Sequence, residues 1–455
     1  AAIATAHGPG AIGIVRVSGS GALNVASGVF CRPNFDPLRS ASHRAVHGTI
    51  HDPATGERLD DGILLIYRSP NSFTGEDSIE LLCHGGPYLL HRVLAACLNA
   101  GSRPAEPGEF TYRAFRNGKL DLAQAEAVAD LIAARSNEAL RAANRLMAGA
   151  LSDHIRPLRE DLQNAGAALE AAIESDDENI EIEADAILAD LTQLASRIEV
   201  MLSQAPAGRS IRHGFSVAIC GKPNVGKSTL FNTLLGRRRA LVSPTAGTTR
   251  DSIEETTEIS GIAVTLIDTA GLRTPRGTIE RDGIEMAKHA ATNADGVLMV
   301  SDVRREPTDA EAAFVREVSD RCVAWVLNKA DRASSSAIER NVQRLSALSP
   351  QIPVFAVSAA AGAGLDRLER CVTDRALGPN VEPGTVVVTH ERHVRALTDA
   401  LTHVQVAIEA IRHGDPLDTT AHELTEAGHA LASIIGLTLP EDVIGRLFSR
   451  FCMGK

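Results

Sequence analysis

Three patterns of apolar residues succeed one another along the 455-residue chain. From residue 1 to about 117, apolar runs of strand length ("AIGIVRVSG", "GILLIY", "SIELLC") alternate with Gly/Pro turns, and "PYLLHRVLAACLNA" carries helical spacing. That mixture predicts a compact α/β domain. From Leu120 to about Gln204, Ala, Leu, Glu and Arg dominate and Gly and Pro nearly vanish. Leu151, Ile155, Leu158 and Leu162 form one apolar stripe along a helix, which predicts the core of a bundle. The acidic run "ESDDENIEIE" interrupts the helices as a solvated hinge or loop. From about Phe215, strand-like "FSVAIC", "IAVTLID", "GVLMVS", "VAWVLN" and "VFAVS" alternate with helical segments, as in a mostly parallel sheet with helices on both faces. After the Pro/Gly-rich "LGPNVEPGT", residues from about 386 onward read as helix again. The pattern therefore predicts an N-terminal α/β domain at 1–117, a helical domain split into 118–209 and 377–455, and an α/β domain inserted at 210–376.

Composition narrows this picture modestly. Hydrophobic residues make up 44%, yet no run approaches the roughly 18 residues of a membrane span. No basic-then-apolar leader opens the chain, which argues against secretion, and "AAIATAHGPG" without a Met implies that a few residues precede it. The seven cysteines are scattered and form no CxxC pair, which fits a reducing compartment rather than disulfides or structural zinc. Six of them (Cys31, Cys83, Cys97, Cys220, Cys322, Cys371) read as buried small hydrophobes; Cys452, in the terminal "FCMGK", stands apart. A net charge of −11 supplies no general attraction for nucleic acid. The basic "GRRRA" at 236–240 could touch phosphate but reads as a solvated loop.

The chemistry concentrates in the inserted segment. "GKPNVGKST", Gly221 to Thr229, fits the phosphate-loop pattern G-x-x-x-x-G-K-[ST] and sits between a strand and a helix. Such a loop wraps a phosphate chain with Asn224, Val225, Gly226, Lys227, Ser228 and Thr229, and its backbone N–H groups and helix N-terminus face the anion. Ser228 is then an Mg²⁺ ligand. "DTAG" supplies Asp268, Thr269, Ala270 and Gly271: the acid can hold the metal through water and the glycine N–H can reach a γ-phosphate. Between these motifs lies "AGTTRD", a switch loop that should bring Thr249 to Mg²⁺. "NKAD" supplies Asn328, Lys329 and Asp331, whose carboxylate can accept both the N1–H and the 2-amino group of guanine. Adenine lacks that donor pair, so the pocket should reject ATP. "SAAAG" fits the loop that backs the guanine with Ser358, Ala359 and Ala360. The order of these motifs, each closing a predicted strand, indicates a GTP site. In Ras-like proteins a Gln follows D-x-x-G and orients the attacking water; here Leu272 stands there and cannot. Asn224 offers a carbonyl near the β- and γ-phosphates, where a monovalent cation shared with switch-loop carbonyls would supply positive charge; Arg250 and Arg273 are the other candidates.

With "GIVRVSG", "PNSFTGEDSIELLCHGGP", "PGEFTYRAFRNGKLDLAQAEAVADLI" and a C-x-G-K ending with Met453 at its variable position, these motifs resemble the MnmE (TrmE) family of bacterial tRNA modification GTPases over essentially the whole chain. Related GTPases such as Era share the nucleotide motifs but lack the flanking segments. The resemblance implies a folate-binding N-terminal α/β domain that mediates homodimerisation, a discontinuous helical domain, and an inserted Ras-like P-loop GTPase domain. It implies potassium-stimulated hydrolysis, with K⁺ at Asn224, Ser243, Thr245 and Thr248, Ser243 also lining the GTP site, and paired G domains. Glu280, twelve residues past Asp268, falls at the position of the family's water-orienting glutamate. Cys452 is the family's C-terminal cysteine and joins Glu280 as a catalytic candidate. Arg16, Glu80, Lys119 and Lys455 fall at positions that bind 5-formyltetrahydrofolate. On the residues alone, Glu280 reads equally as a solvent-facing helix charge, and Arg16, Glu80, Lys119 and Lys455 read as ordinary surface charges.

The implied partner is the FAD- and NADH-using flavoprotein MnmG (GidA), in a heterotetramer. The implied reaction adds a carboxymethylaminomethyl- or aminomethyl-type group at C5 of wobble uridine 34 of certain tRNAs, and the implied location is cytoplasmic, with no membrane involved. Three other readings compete. His43, His47 and His51 have the spacing of a helical metal face, but Gly48 and the Asp52-Pro53 turn favour a strand and hairpin. "HGGP" at His84 is like an esterase oxyanion loop, but the chain has no G-x-S-x-G nucleophile. A regulatory or ribosome-assembly GTPase switch would need neither the N-terminal segment nor Cys452.

Overall fold

The computed structural model describes residues 1–173, 184–237, 253–269, 289–378, 381, 385, 388–451 and 454. The acidic run at 174–183 lies outside them. The chain divides into two compact units, one of Ala1–Ile132, Leu146–Leu194 and Asp399–Lys455, the other of Ala133–Arg145 and Ala195–Thr398. Among the described residues no helix is long and apolar enough to cross a membrane.

The first unit holds strands β1 (Ala2–Ile3), β2 (Gly10–Ser18), β3 (Phe30–Cys31), β4 (Arg44–His51), β5 (Arg58–Tyr67) and β6 (Ser78–Gly85), ordered β1-β2-β6-β5-β4-β3 with every neighbour antiparallel. Side chains alternate between faces with period two. Val15, Val17, Leu64, Ile66, Ile79 and Leu81 fill one face and pack with helices Ala22–Val29 and Pro87–Asn99. Arg16 and Glu80, register partners on β2 and β6, share the other face. The hairpin reading of the three histidines holds: β4 carries His47 and His51, and His43 precedes it. Of the six cysteines expected inside, Cys31 is a correction, because it is exposed. In the two-residue β3, Phe30 takes the inward position, and alternation turns Cys31 out.

In the same unit, Leu151, Ile155, Leu158 and Leu162 on helix Ala150–Ile173 are all at most 2% exposed. That helix packs along helix Leu417–Ile435, so the two halves of the helical domain meet.

The second unit is built on β7 (Phe215–Cys220), β8 (Ile253–Ile259), β9 (Ile262–Asp268), β10 (Gly296–Asp302), β11 (Cys322–Asn328) and β12 (Val354–Ala356), ordered β12-β11-β10-β7-β9-β8. All pairs are parallel except β8 with β9. Every residue of β10 and β11 is buried, as strands covered on both faces must be. β8 went unread in the sequence because its "IEETTEI" has apolar residues only at its ends. "GRRRA" is corrected in part. Gly236 and Arg237 close helix Lys227–Arg237, and Arg237 pairs with Glu369 and Asp366 at 3.1 and 3.0 Å instead of lying in a solvated loop.

Candidate functional site

The carboxyl ends of parallel strands collect loops at one edge of a sheet, which is where such folds bind ligands. At this edge β7 runs into Gly221–Gly226 and then helix Lys227–Arg237. Two glycines are obligatory there. Gly221 has φ +146°, and a Cβ would lie 2.1 Å from the Val300 carbonyl oxygen; Gly226 has φ +99°, and a Cβ would lie 2.3 Å from Asn328 Nδ2. Asn224 adopts φ +64°, a left-handed conformation that Asn tolerates better than most residues, and is exposed. Lys227 is buried, and its Nζ donates to the carbonyls of Gly221 (2.8 Å) and Lys222 (3.0 Å). Burial lowers its pKa, while the charge of Asp268 works in the opposite direction. Phosphate oxygens would compete with those two carbonyls for the ammonium protons. Ser228 and Thr229 are exposed in the first turn of the helix, so their hydroxyls are open to a metal or a phosphate. Asp268 ends β9, buried, and Thr269 donates its hydroxyl proton to the Ile219 carbonyl at 2.8 Å.

Asn328, 2% exposed, stitches three loops together. Its Nδ2 donates to the Val225 carbonyl at 3.0 Å, and its Oδ1 accepts the N–H of Lys329 at 2.8 Å and of Ala359 at 3.0 Å. Ser358 donates its hydroxyl proton to Asp331 Oδ1 at 2.6 Å and accepts the Ala361 N–H at 3.2 Å. The Ser358 hydrogen bond holds the Asp331 carboxyl below the usual carboxylate range, against a smaller opposing effect of desolvation, and the Arg332 charge lowers it further. Asp331 is thus ionised near neutral pH and can only accept hydrogen bonds, which suits a base edge presenting two donors. Val225, Gly226 and Ala359 touch Asn328 through their backbones, and Ala360 lies in the same turn.

Two groups of contacts, one around Asp302 and Lys329 and one around Lys222, were not read from the sequence. Asp302, the last residue of β10, accepts Lys329 Nζ at 2.9 Å and is gripped by Arg304 through Nε (2.9 Å) and Nη2 (2.7 Å). Lys329 Nζ also donates to the Asn224 carbonyl at 2.5 Å. Lys222 donates to Thr308 Oγ1 at 2.9 Å and lies 3.4 Å from Glu311. The signal for Asp302 was present: an acid closing a buried strand, like Asp268 on β9.

On the N-terminal sheet, Arg16 Nε and Nη2 both reach Glu80 Oε1 at 2.7 Å. Arg16 Nη1 donates to the Gly454 carbonyl at 3.2 Å, and its guanidinium lies 5.5 Å from the Phe110 ring centroid. The pair is mostly buried, with side chains 20% and 14% exposed. Lys119 is engaged with the loop after β5, its Nζ donating to the Pro70 carbonyl at 3.2 Å. His84, beside the "GGP" turn, has its Nδ1 2.9 Å from Asp60.

The sequence model of the MnmE helical domain matches residues 122–452, and that of the GTP-binding protein TrmE N-terminus matches residues 1–119. A tRNA modification GTPase MnmE of Moorella thermoacetica is 42% identical over all of this chain and 99% of its own. Those of Aquifex aeolicus and Syntrophus aciditrophicus are 41% and 39% identical over the same shares.

The chain belongs to the MnmE family of tRNA modification GTPases.

Membership in the MnmE family makes this a GTP-hydrolysing enzyme with a role in tRNA modification, and sets aside the reading as a switch without modification chemistry. It also fits the architecture: an N-terminal α/β domain, a helical domain, and an inserted P-loop G domain. Of the residues singled out in the sequence, Ser243, Thr245, Thr248, Thr249, Ala270, Gly271, Leu272, Glu280, Cys452 and Lys455 lie outside the described residues, as do Arg250 and Arg273.

Proposed function

We propose that this chain is a potassium-stimulated GTPase that works as a homodimer in the cytoplasm. In this reading it forms a heterotetramer with the FAD-carrying flavoprotein MnmG (GidA), and the two install a carboxymethylaminomethyl- or aminomethyl-type group at C5 of wobble uridine 34 in tRNA. The observation that carries the guanine half of the reading is the ionised Asp331 carboxylate, oriented by Ser358 beside a phosphate loop tied to Asn328. Guanine offers Asp331 two donors and adenine offers none in that geometry. Lys227 would exchange its loop carbonyls for phosphate oxygens. Ser228, Thr249 and Asp268 would hold Mg²⁺, directly or through water, and the donor set of hydroxyls and a carboxylate suits that ion. Asn224, with Ser243, Thr245 and Thr248, would hold K⁺, whose charge would assist departure of the leaving phosphate, and Glu280 would orient the attacking water.

The N-terminal sheet supports a folate-type ligand. Arg16 meets Glu80 only through Oε1, so among the described residues Oε2 is left to accept a pterin donor. Arg16, Lys119 and Lys455 could meet the carboxylates of the glutamate tail. Arg16 also donates to the Gly454 carbonyl at 3.2 Å.

Steady-state GTP hydrolysis in KCl and in NaCl tests the cation. The rate should be markedly higher in K⁺, and Asn224→Ala should remove the difference. Equal rates in both salts would exclude a potassium-dependent step.

A further inference from the structure

We infer that Asp302 is a positioning residue for nucleotide binding: it anchors Lys329 across the phosphate loop and so ties the guanine-recognising loop to the phosphate-binding one. The two loops are 105 residues apart in sequence where Lys329 meets Asn224. Lys329 leaves β11 in a left-handed conformation, φ +67°, and sends its side chain over the loop to the Asn224 carbonyl. A lysine side chain has four rotatable carbons, and fixing it costs much of its rotamer freedom unless a second partner shares the task. Asp302 is that partner, 5% exposed and itself immobilised by a two-pronged contact with Arg304. Hydrogen bonds from Arg304, and then from Lys329, hold its carboxyl far below the usual range, so it keeps its charge throughout the working range of pH.

Asp302 faces two cations, Arg304 and Lys329, and holds both through hydrogen bonds. Asp302 reaches neither the guanine-accepting Asp331 nor the loop lysine Lys227 in any contact of the described residues. Lys329 is its contact with the phosphate loop; Arg304, its other partner, is coupled to Asp331 through charge, and the variants below separate the two routes.

The test is a double-mutant cycle on the full chain, with GDP and GTP as probes. Asp302→Asn keeps the shape and removes the charge; it should weaken GDP and GTP alike by about tenfold, appearing in KM and not in kcat. Lys329→Ala should weaken both at least as much. The double variant should be no weaker than Lys329→Ala alone. Arg304→Gln, which leaves the Asp302–Lys329 contact in place, should cost less than Asp302→Asn. Emission from Trp325, the one tryptophan of the chain and fully buried in β11, reports whether each variant is folded. Losses that add in the double variant would overturn the inference, since Asp302 would then act by another route. A Lys329→Ala variant with unchanged affinity would overturn it too, by removing the residue through which Asp302 works.

Discussion

At the nucleotide site, charged groups are held by loops that meet from far apart in sequence; on the N-terminal sheet, Arg16 and Glu80 are held by the register of two adjacent strands. The first arrangement depends on side chains bonded to backbone. Asn328 bonds the main chain at Val225, Lys329 and Ala359, and Lys329 bonds it at Asn224. Replacing Asn328 takes the partner from the buried Val225 carbonyl and Ala359 N–H. The second arrangement is one ion pair on one sheet face, with a single bond from Arg16 to the Gly454 carbonyl, and the backbone beneath it is secured by its own ladder. The nucleotide site should therefore be fragile in its scaffolding and the sheet site in its charges.

The largest expected effect follows from the scaffold. Asn328→Ala would leave the Val225 carbonyl and the Ala359 N–H unpaired, each at about 1–3 kcal/mol. GTP affinity should fall by roughly a hundredfold or more, with a thermal midpoint several degrees lower by calorimetry. A variant that bound GTP normally would show that Asn328 is not the stitch the geometry describes.

A smaller effect is expected on the sheet. Arg16→Ala leaves the mostly buried Glu80 unpaired and should destabilise the fold by about 1–3 kcal/mol in denaturant unfolding. The double variant Arg16→Met with Glu80→Leu, which removes both charges, should recover most of that loss. The backbone ladder is untouched in either case, so the register of β2 and β6 should survive. If the double variant were worse than the single, the pair would be structural scaffolding, and the contrast between the two regions would fail.

How much of this was legible in the sequence follows the same division. The phosphate loop, "DTAG", "NKAD" and "SAAAG" are contiguous and each follows an apolar strand, so their residues could be placed before the fold was known. Asp302 was missed because its partner Lys329 lies 27 residues away, and its one sequence signal, an acid closing an apolar strand, names no partner. Arg16 and Glu80 are 64 residues apart and become neighbours only through the register of β2 and β6. Family resemblance pointed to them where periodicity could not. Cys31 was misread and β8 went unread for a local reason: a two-residue strand gives no alternation to read, and a Glu/Thr-rich strand gives no apolar pattern.

In the proposed function Asp331, kept ionised and aimed by Ser358, decides which base this enzyme accepts. The most direct measurement compares GTP with xanthosine triphosphate as substrates for the wild-type chain and for Asp331→Asn. The amide offers a donor to the 2-carbonyl of xanthine and loses the acceptor that guanine needs, so preference should pass from GTP to xanthosine triphosphate, with GTP weakened by roughly a hundredfold. An Asp331→Asn enzyme that still preferred GTP would contradict the account.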